Sequence, residues 1–226
     1  MYNIAIDGPA GAGKSTIAKL IAKELKYIYV DTGAMYRAIA IFYMDKNVDP
    51  MNEEKINSLL DDIEIKIEYK DGVQQVILNG INVTNRLRTE EVGKMASVTS
   101  KYKLVRSKLV KLQQKIASDT NVVMDGRDIG TKVLPDAFLK IYLTASADAR
   151  AKRRYDELVA KGEECDYKHI LDDIILRDHQ DMTRAESPLT KAEDAYLVDT
   201  SDMTIDEVVS AIKKLMKDKQ YGSNLS

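Results

Sequence analysis

Gly8-Pro9-Ala10-Gly11-Ala12-Gly13-Lys14-Ser15 fits the pattern G-x-x-x-x-G-K-[ST] at every fixed position. Each fixed residue answers a chemical need. Glycines let a backbone curl until its N–H groups converge on phosphate oxygens, and a helix that follows adds its positive N-terminal end. A lysine at position 14 reaches the β- and γ-phosphates as a mobile point charge. A hydroxyl at Ser15 is placed to ligate Mg²⁺. The flanks agree with the motif. Tyr2 to Ile6 is a short apolar run, and Lys14 to Leu25 carries Ile17, Leu20, Ile21 and Leu25 at helical spacing. The expectation is a strand, a phosphate-binding loop from Gly8 to Thr16, and a helix. The loop alone names no reaction, because motors, GTPases and small-molecule kinases all use it.

Outward from the loop the chain keeps a β/α rhythm. A second strand at Tyr27 to Val30 ends in Asp31-Thr32-Gly33, and a helix follows through Ala38, Ile41 and Phe42. Asn52 is expected to cap a helix that ends near Asp62. Ile63, Ile65 and Ile67 then alternate with charged residues, and Asp71-Gly72 and Asn79-Gly80 mark two hairpin turns. That stretch reads as a small antiparallel sheet inserted into an otherwise parallel architecture. Helical pattern resumes from about Thr89 to Ser118 with a break near Ser100, and apolar strands recur at Val122 to Met124, Leu139 to Leu143 and Tyr196 to Val198. Helices are expected from Ala147 to Lys161, from Tyr167 to Asp181 and after Thr204, with fraying beyond Lys217. The fold class is therefore α/β: a P-loop three-layer α/β/α arrangement with a central parallel sheet and a small antiparallel insertion lobe, to which the family resemblance given below adds a short helical lid.

Composition narrows the function. Thirty-four basic residues against thirty-six acidic ones give a formal charge of −2, so bulk charge draws the chain toward neither nucleic acid nor an anionic membrane. No apolar run approaches the roughly 18 residues that a membrane-spanning helix needs. The first apolar stretch is interrupted by Asp7, unlike a secretory signal. The single cysteine, Cys165, excludes an internal disulfide framework and suits a reducing compartment. A cytoplasmic monomer without nucleic-acid or membrane partners is expected. The two histidines, His169 and His179, stand ten residues apart on one helical stretch and make no metal pair.

Phosphate affinity must then come from local clusters, and the arginines supply them. Arg37 follows the second strand and Arg127 follows the strand ending at Asp125. Arg150, Arg153 and Arg154 share one helix face, and Arg177 and Arg184 share another with Asp181 between them. Arginine's rigid fork holds phosphate bidentately better than lysine does. Several arginines at strand ends in a nearly neutral chain imply two phosphate-bearing ligands that face one another. An anionic phosphate acceptor needs no general base, so alignment and charge neutralisation suffice for transfer.

Three segments together resemble the bacterial-type cytidylate kinase family: Gly8 to Thr16, Asp31-Thr32-Gly33-Ala34-Met35-Tyr36-Arg37, and Asp125-Gly126-Arg127-Asp128-Ile129-Gly130-Thr131. The inserted antiparallel sheet belongs to the same resemblance, which runs through nearly the whole chain. It implies phosphorylation of CMP and dCMP by ATP with Mg²⁺, in a core of residues 1–36, 100–149 and 166–226, a monophosphate-binding lobe of 37–99 and a lid of 150–165. It implies that Gly8, Pro9, Ala10, Gly11, Ala12, Gly13, Lys14, Ser15 and Thr16 bind ATP, with Ser15 on the metal. It implies that Arg37, Arg127 and Arg184 hold the acceptor phosphate, and that Thr32, Arg177 and Asp181 contact phosphate or sugar. Ser97, Arg106 and Asp128 are expected to read the cytosine edge, while Arg150, Arg153 and Arg154 fold over the ATP phosphates and join Lys14, Arg127 and Arg184 in catalysis. Another P-loop kinase, of the UMP or shikimate type, and a nucleotide-binding module without turnover are the alternatives.

Overall fold

The computed structural model of the chain describes residues 1–222. Five strands form one sheet: β1 (Ile4–Asp7), β2 (Ile28–Asp31), β6 (Val122–Gly126), β7 (Leu139–Thr144) and β8 (Tyr196–Asp199), in the order β2-β6-β1-β7-β8. The pairs β1–β6, β1–β7 and β7–β8 are parallel. Strands such as Ile4-Ala5-Ile6 and Val122-Val123-Met124 are apolar without alternation because both of their faces are covered, as parallel sheets require. Three further strands, β3 (Ile65–Lys70), β4 (Val73–Leu78) and β5 (Ile81–Asn82), form the separate antiparallel sheet that the alternation at Ile63 to Ile67 predicts. Its tight turns put Asp71, Gly72, Asn79 and Gly80 at positive φ.

The chain divides into two compact units, residues 1–29 with 120–226 and residues 30–119. In the first unit, α1 (Lys14–Leu25) and α8 (Ile205–Gly222) pack with β1, β6, β7 and β8 in one core. Helix α1 buries Ile17, Ala18, Ile21 and Ala22, whereas Leu20, expected on that face, is exposed. Helix α8 buries Val208, Ile212 and Met216, one turn apart, each contributing about 1.5–3 kcal/mol as its side chain leaves water. Helices α6 (Ala147–Ala160) and α7 (Tyr167–Thr183) pack on each other in the same unit. Helix α8 continues past Lys217 to Gly222; the remaining fraying expectation, for 223–226, lies outside the described residues.

In the second unit, α2 (Thr32–Asp45) is the central element. It touches α4 (Glu90–Thr99), α5 (Lys103–Asp119) and β4, and buries Met35, Ala38, Ile39, Ile41, Phe42 and Tyr43. Three helix starts are fixed by side-chain caps. Asp31 accepts from Ala34 N–H, Asn52 accepts from Lys55 N–H ahead of α3 (Glu53–Ser58), and Thr89 accepts from Val92 N–H. Asn52 caps as expected, but α3 is short and gives way to a 3₁₀ turn at Leu60–Asp62. The expected helix break near Ser100 separates α4 from α5. The expected lobe, 37–99, falls inside this unit, as does α5. Among the described residues no helix is long and apolar enough to cross a membrane.

Candidate active site

The order β2-β6-β1-β7-β8 puts the carboxyl ends of β1 and β6 side by side, with Asp7 opposite Gly126. Ligands of open parallel sheets bind outside such strand ends. Here β1 delivers the glycine-rich loop and β6 delivers the Asp125-Gly126-Arg127-Asp128 segment. Both belong to the first unit.

The loop is shaped for an anion. Gly11 and Gly13 sit at φ 76° and 86°, in the left-handed region. Gly13 is the N-cap of α1 and offers no side chain to the first turn, which carries no acidic residue. The N–H groups that open this helix are therefore left for a ligand, and the helix dipole favours negative charge there. Lys14 is buried, and its Nζ donates to the Pro9 carbonyl at 2.7 Å. Burial first, and then the charge of Arg127, lower its pKa to about 7, partly offset by Asp125, Asp7 and Asp181. A phosphate arriving beside Lys14 would restore the charge partner that this burial withholds.

Ser15 Oγ donates to Asp125 Oδ2 at 2.9 Å, and Tyr29 Oη donates to Asp125 Oδ1 at 2.9 Å. Asp125 thus meets the serine of the phosphate loop, a contact that the sequence does not announce. Its signal was an acidic residue at the end of an apolar strand, which many strands share. A hydroxyl and a carboxylate in contact are hard oxygen donors of the kind Mg²⁺ takes.

A second cationic centre lies at the end of α7. Arg127 Nε donates to Asp181 Oδ2 at 2.8 Å, and Arg184 Nη1 stands 3.7 Å from Asp181 Oδ1. Burial pushes the Asp181 carboxyl up, but Arg127, by charge and hydrogen bond, and then Arg184 and Arg177 outweigh it and hold the group below the usual carboxylate range. The backbone explains the convergence of Arg184. It is not on the helix face shared with Arg177; it caps α7 with an extended backbone, and its Nε donates to Ser187 C=O at 2.7 Å. The loop past α7 folds back, so that Leu189 N–H reaches Asp181 C=O.

Asp128 is buried and opens a five-residue π turn, Ile129–Val133, in which its carbonyl accepts from Lys132 and Val133. Such turns concentrate at functional sites, because they re-aim a backbone. The turn is tied to β1 by Asp7, whose two carboxylate oxygens accept Ile129 N–H and Gly130 N–H, each at 2.7 Å. Burial pushes the Asp7 carboxyl up to about 6, against the two N–H groups, with Asp128 adding to the rise. Asp7 too was unassigned from sequence; a carboxylate closing a buried strand was its only trace.

The three arginines expected together on the lid part ways. Arg150 is buried, pairs bidentately with Asp178 at 3.0 and 2.5 Å, and donates to the carbonyls of Ala10 and Ala145. It braces the phosphate loop. Arg153 reaches the Thr200 carbonyl at 2.5 Å, and Arg154 pairs with Glu157 at 3.0 Å; both are exposed.

The other expected residues lie in the second unit. Thr32 is buried at the start of α2, and Arg37 is half-buried one turn on, its Nη1 beside Gly33. Arg106 is buried on α5, donates to Ser100 C=O at 3.0 Å, and lies 5.3 Å from the centre of the Tyr36 ring. Ser97 is half-buried on α4.

A family model described as cytidylate kinase matches residues 4–218. The chain is similar to the cytidylate kinase of Caldicellulosiruptor saccharolyticus, 54% identical over 213 residues that make up 94% of each protein. It is similar to the cytidylate kinase of Bacillus subtilis at 50% identity over 219 residues, covering 96% of this chain and 97% of the relative. Among solved structures, an uncharacterized protein from Eubacterium ventriosum matches with a TM-score of 0.54 over 96% of this chain and 99% of its own, at 13% identity, a likeness of fold alone.

Proposed function

The chain belongs to the cytidylate kinase family, and from that membership we propose that it transfers the γ-phosphoryl group of ATP to CMP or dCMP. The observation that carries the reading is the second cationic centre. Arg127 and Arg184 flank Asp181 in the same unit as the phosphate loop, and Arg127 is close enough for its charge to depress Lys14. One cationic centre would serve a nucleotide-binding module; a kinase whose acceptor itself carries a phosphate has use for two.

The roles follow from the chemistry. The loop from Gly8 to Thr16 holds the donor phosphates through its N–H groups and Lys14. Arg37, Arg127 and Arg184 hold the acceptor phosphate, with Thr32, Arg177 and Asp181 as further contacts to phosphate or sugar. The acceptor oxygen is already anionic, so alignment and charge stabilisation carry the step. Ser15 and Asp125 fit Mg²⁺, which when bound supplies charge neutralisation at the donor phosphates. Arg153 and Arg154 stand on the exposed face of α6, held by contacts that a phosphate can outcompete, and residues 150–165 serve as the lid over ATP. The lobe is 37–99, the remainder is the core, and the enzyme acts as a cytoplasmic monomer.

Asp128, Arg106 and Ser97 read the base. Cytosine presents an amino donor beside ring acceptors; a carboxylate accepts from the first, and a guanidinium donates to the second. Uracil would set a carbonyl, itself an acceptor, against the buried Asp128 carboxylate, which gains no hydrogen bond from it. A coupled ADP-release assay across CMP, dCMP, UMP, AMP and dTMP tests the reading. Turnover of AMP or dTMP equal to that of CMP would overturn it. Asp128→Ala is expected to lower the CMP/UMP ratio of kcat/KM at least tenfold while the KM for ATP stays within twofold; an unchanged ratio would remove Asp128 from base recognition.

A further inference from the structure

The antiparallel sheet β3-β4-β5 supplies none of the residues assigned above, yet one of its side chains reaches the corner on which two of them depend. Gln74 of β4 accepts from Asp31 N–H through Oε1 at 2.9 Å, and its Nε2 donates to Asp31 C=O at 3.3 Å. A primary amide thus satisfies both backbone polar groups of one residue across 43 positions of sequence, as a neighbouring strand would. Asp31 is the last residue of β2, the end strand of its sheet, and also the N-cap of α2, with Oδ1 accepting from Ala34 N–H at 2.9 Å. Thr32 and Arg37 leave the first two turns of that helix. Gly33 keeps the corner tight: a Cβ there would lie 3.2 Å from both Arg37 Nη1 and Asp31 Oδ1. Gln74 shares its strand face with Val76 and Leu78, which are buried, so a polar residue stands on an otherwise apolar face of a strand that packs beside α2.

We propose that Gln74 is a positioning residue for the acceptor nucleotide: its amide fixes the Asp31-Thr32-Gly33 corner, and with it Thr32 and Arg37, so that the inserted sheet serves substrate geometry. The proposal rests on the reading that Thr32 and Arg37 hold the acceptor phosphate. Gln74→Met keeps the length of the side chain and removes both hydrogen bonds. Gln75→Met is the control, because among the described residues Gln75 bonds within its own sheet, to Val73 C=O and Asn82.

Amide hydrogen exchange on the ligand-free protein is expected to be about tenfold faster across Asp31 to Ala34 in Gln74→Met, with Val122 to Met124 unchanged. The KM for CMP is expected to rise about fivefold, the worth of one or two hydrogen bonds, while the KM for ATP stays within twofold. Gln75→Met should do neither. Unchanged exchange would overturn the inference, as would faster exchange with an unchanged KM for CMP, or equal losses for both substrates, which mark a merely structural pin. Wild-type enzyme that prefers another monophosphate would sink the cytidylate reading instead; the exchange arm needs no substrate, and the KM arm is then read with the monophosphate that is used.

Discussion

Replacing Gly8 and Gly13 by alanine in turn measures how tightly the phosphate loop is built into the sheet. At Gly13 the added methyl meets nothing within 4 Å, and the whole cost is a backbone held at φ 86°. A left-handed conformation costs an L-residue roughly 1–2 kcal/mol. At Gly8, φ is 147° and the new Cβ would lie 1.9 Å from the Leu143 carbonyl oxygen, a main-chain atom of β7 that no rotamer change can move. Relief requires β1 and β7 to part by about 1 Å where Asp7 faces Tyr142. One or two ladder bonds then go unmade in a buried setting, at about 1–3 kcal/mol each, in addition to the backbone strain. Gly8→Ala should therefore cost roughly 4–5 kcal/mol and Gly13→Ala roughly 1–2 kcal/mol. The chain has no tryptophan, so urea unfolding is best followed by far-UV circular dichroism. With a urea slope near 3 kcal/mol per molar, the Gly8→Ala midpoint should fall about 1 M below that of Gly13→Ala. Midpoints within 0.3 M of each other (roughly the resolution of such a slope) would refute the steric argument.

Two further outcomes follow from the buried carboxylates. The Asp7 carboxyl is raised from 3.8 to about 6, so the folded chain holds this proton more tightly than the unfolded chain does. The stability it lends is complete below pH 3.8 and is lost as pH rises through 6, about 3 kcal/mol in all. The stability of wild type relative to Asp7→Asn should fall by most of that amount between pH 4 and pH 7 in urea titrations; a difference independent of pH would show that Asp7 titrates as it does in the unfolded chain. Asp125→Asn should weaken Mg²⁺ binding, moving the activation curve to higher Mg²⁺ with turnover down about 10–100-fold at limiting metal, because the carboxylate that meets Ser15 loses its charge. A Mg²⁺ titration superimposable on that of wild type would exclude Asp125 from the ion's surroundings.

The particular residues show where sequence reasoning reached and where it stopped. Whatever is encoded within a few positions was legible: the strand-loop-helix around Gly8 to Lys14, the Asn52 cap, the break between α4 and α5, and the two turns of the inserted sheet. The exposure of Leu20 and the brevity of α3 escaped, because helical period marks several candidate faces and only packing chooses among them. Arg184 stands off the helix face that its spacing from Arg177 suggests, because α7 runs two residues past Asp181 and Arg184 caps it with an extended backbone, which nothing local announces.

Local sequence is enough to place a G-x-x-x-x-G-K-[ST] loop between a strand and a helix, and to say which side chains carry the charge for the proposed second phosphate site. Spacing and residue chemistry are local properties, and periods of 2 and 3.6 can be read along a line. Tertiary structure alone decided that Asp7 ties the β1 loop to Ile129 and Gly130, that Arg150 spends its guanidinium on Asp178 and Ala10, and that Gln74 closes the corner at Asp31. Those bonds span 28 to 140 residues, and their partners are chosen by strand order and packing. Burial then makes an unpaired polar group costly enough that the fold must supply it with a partner, wherever in the chain that partner lies.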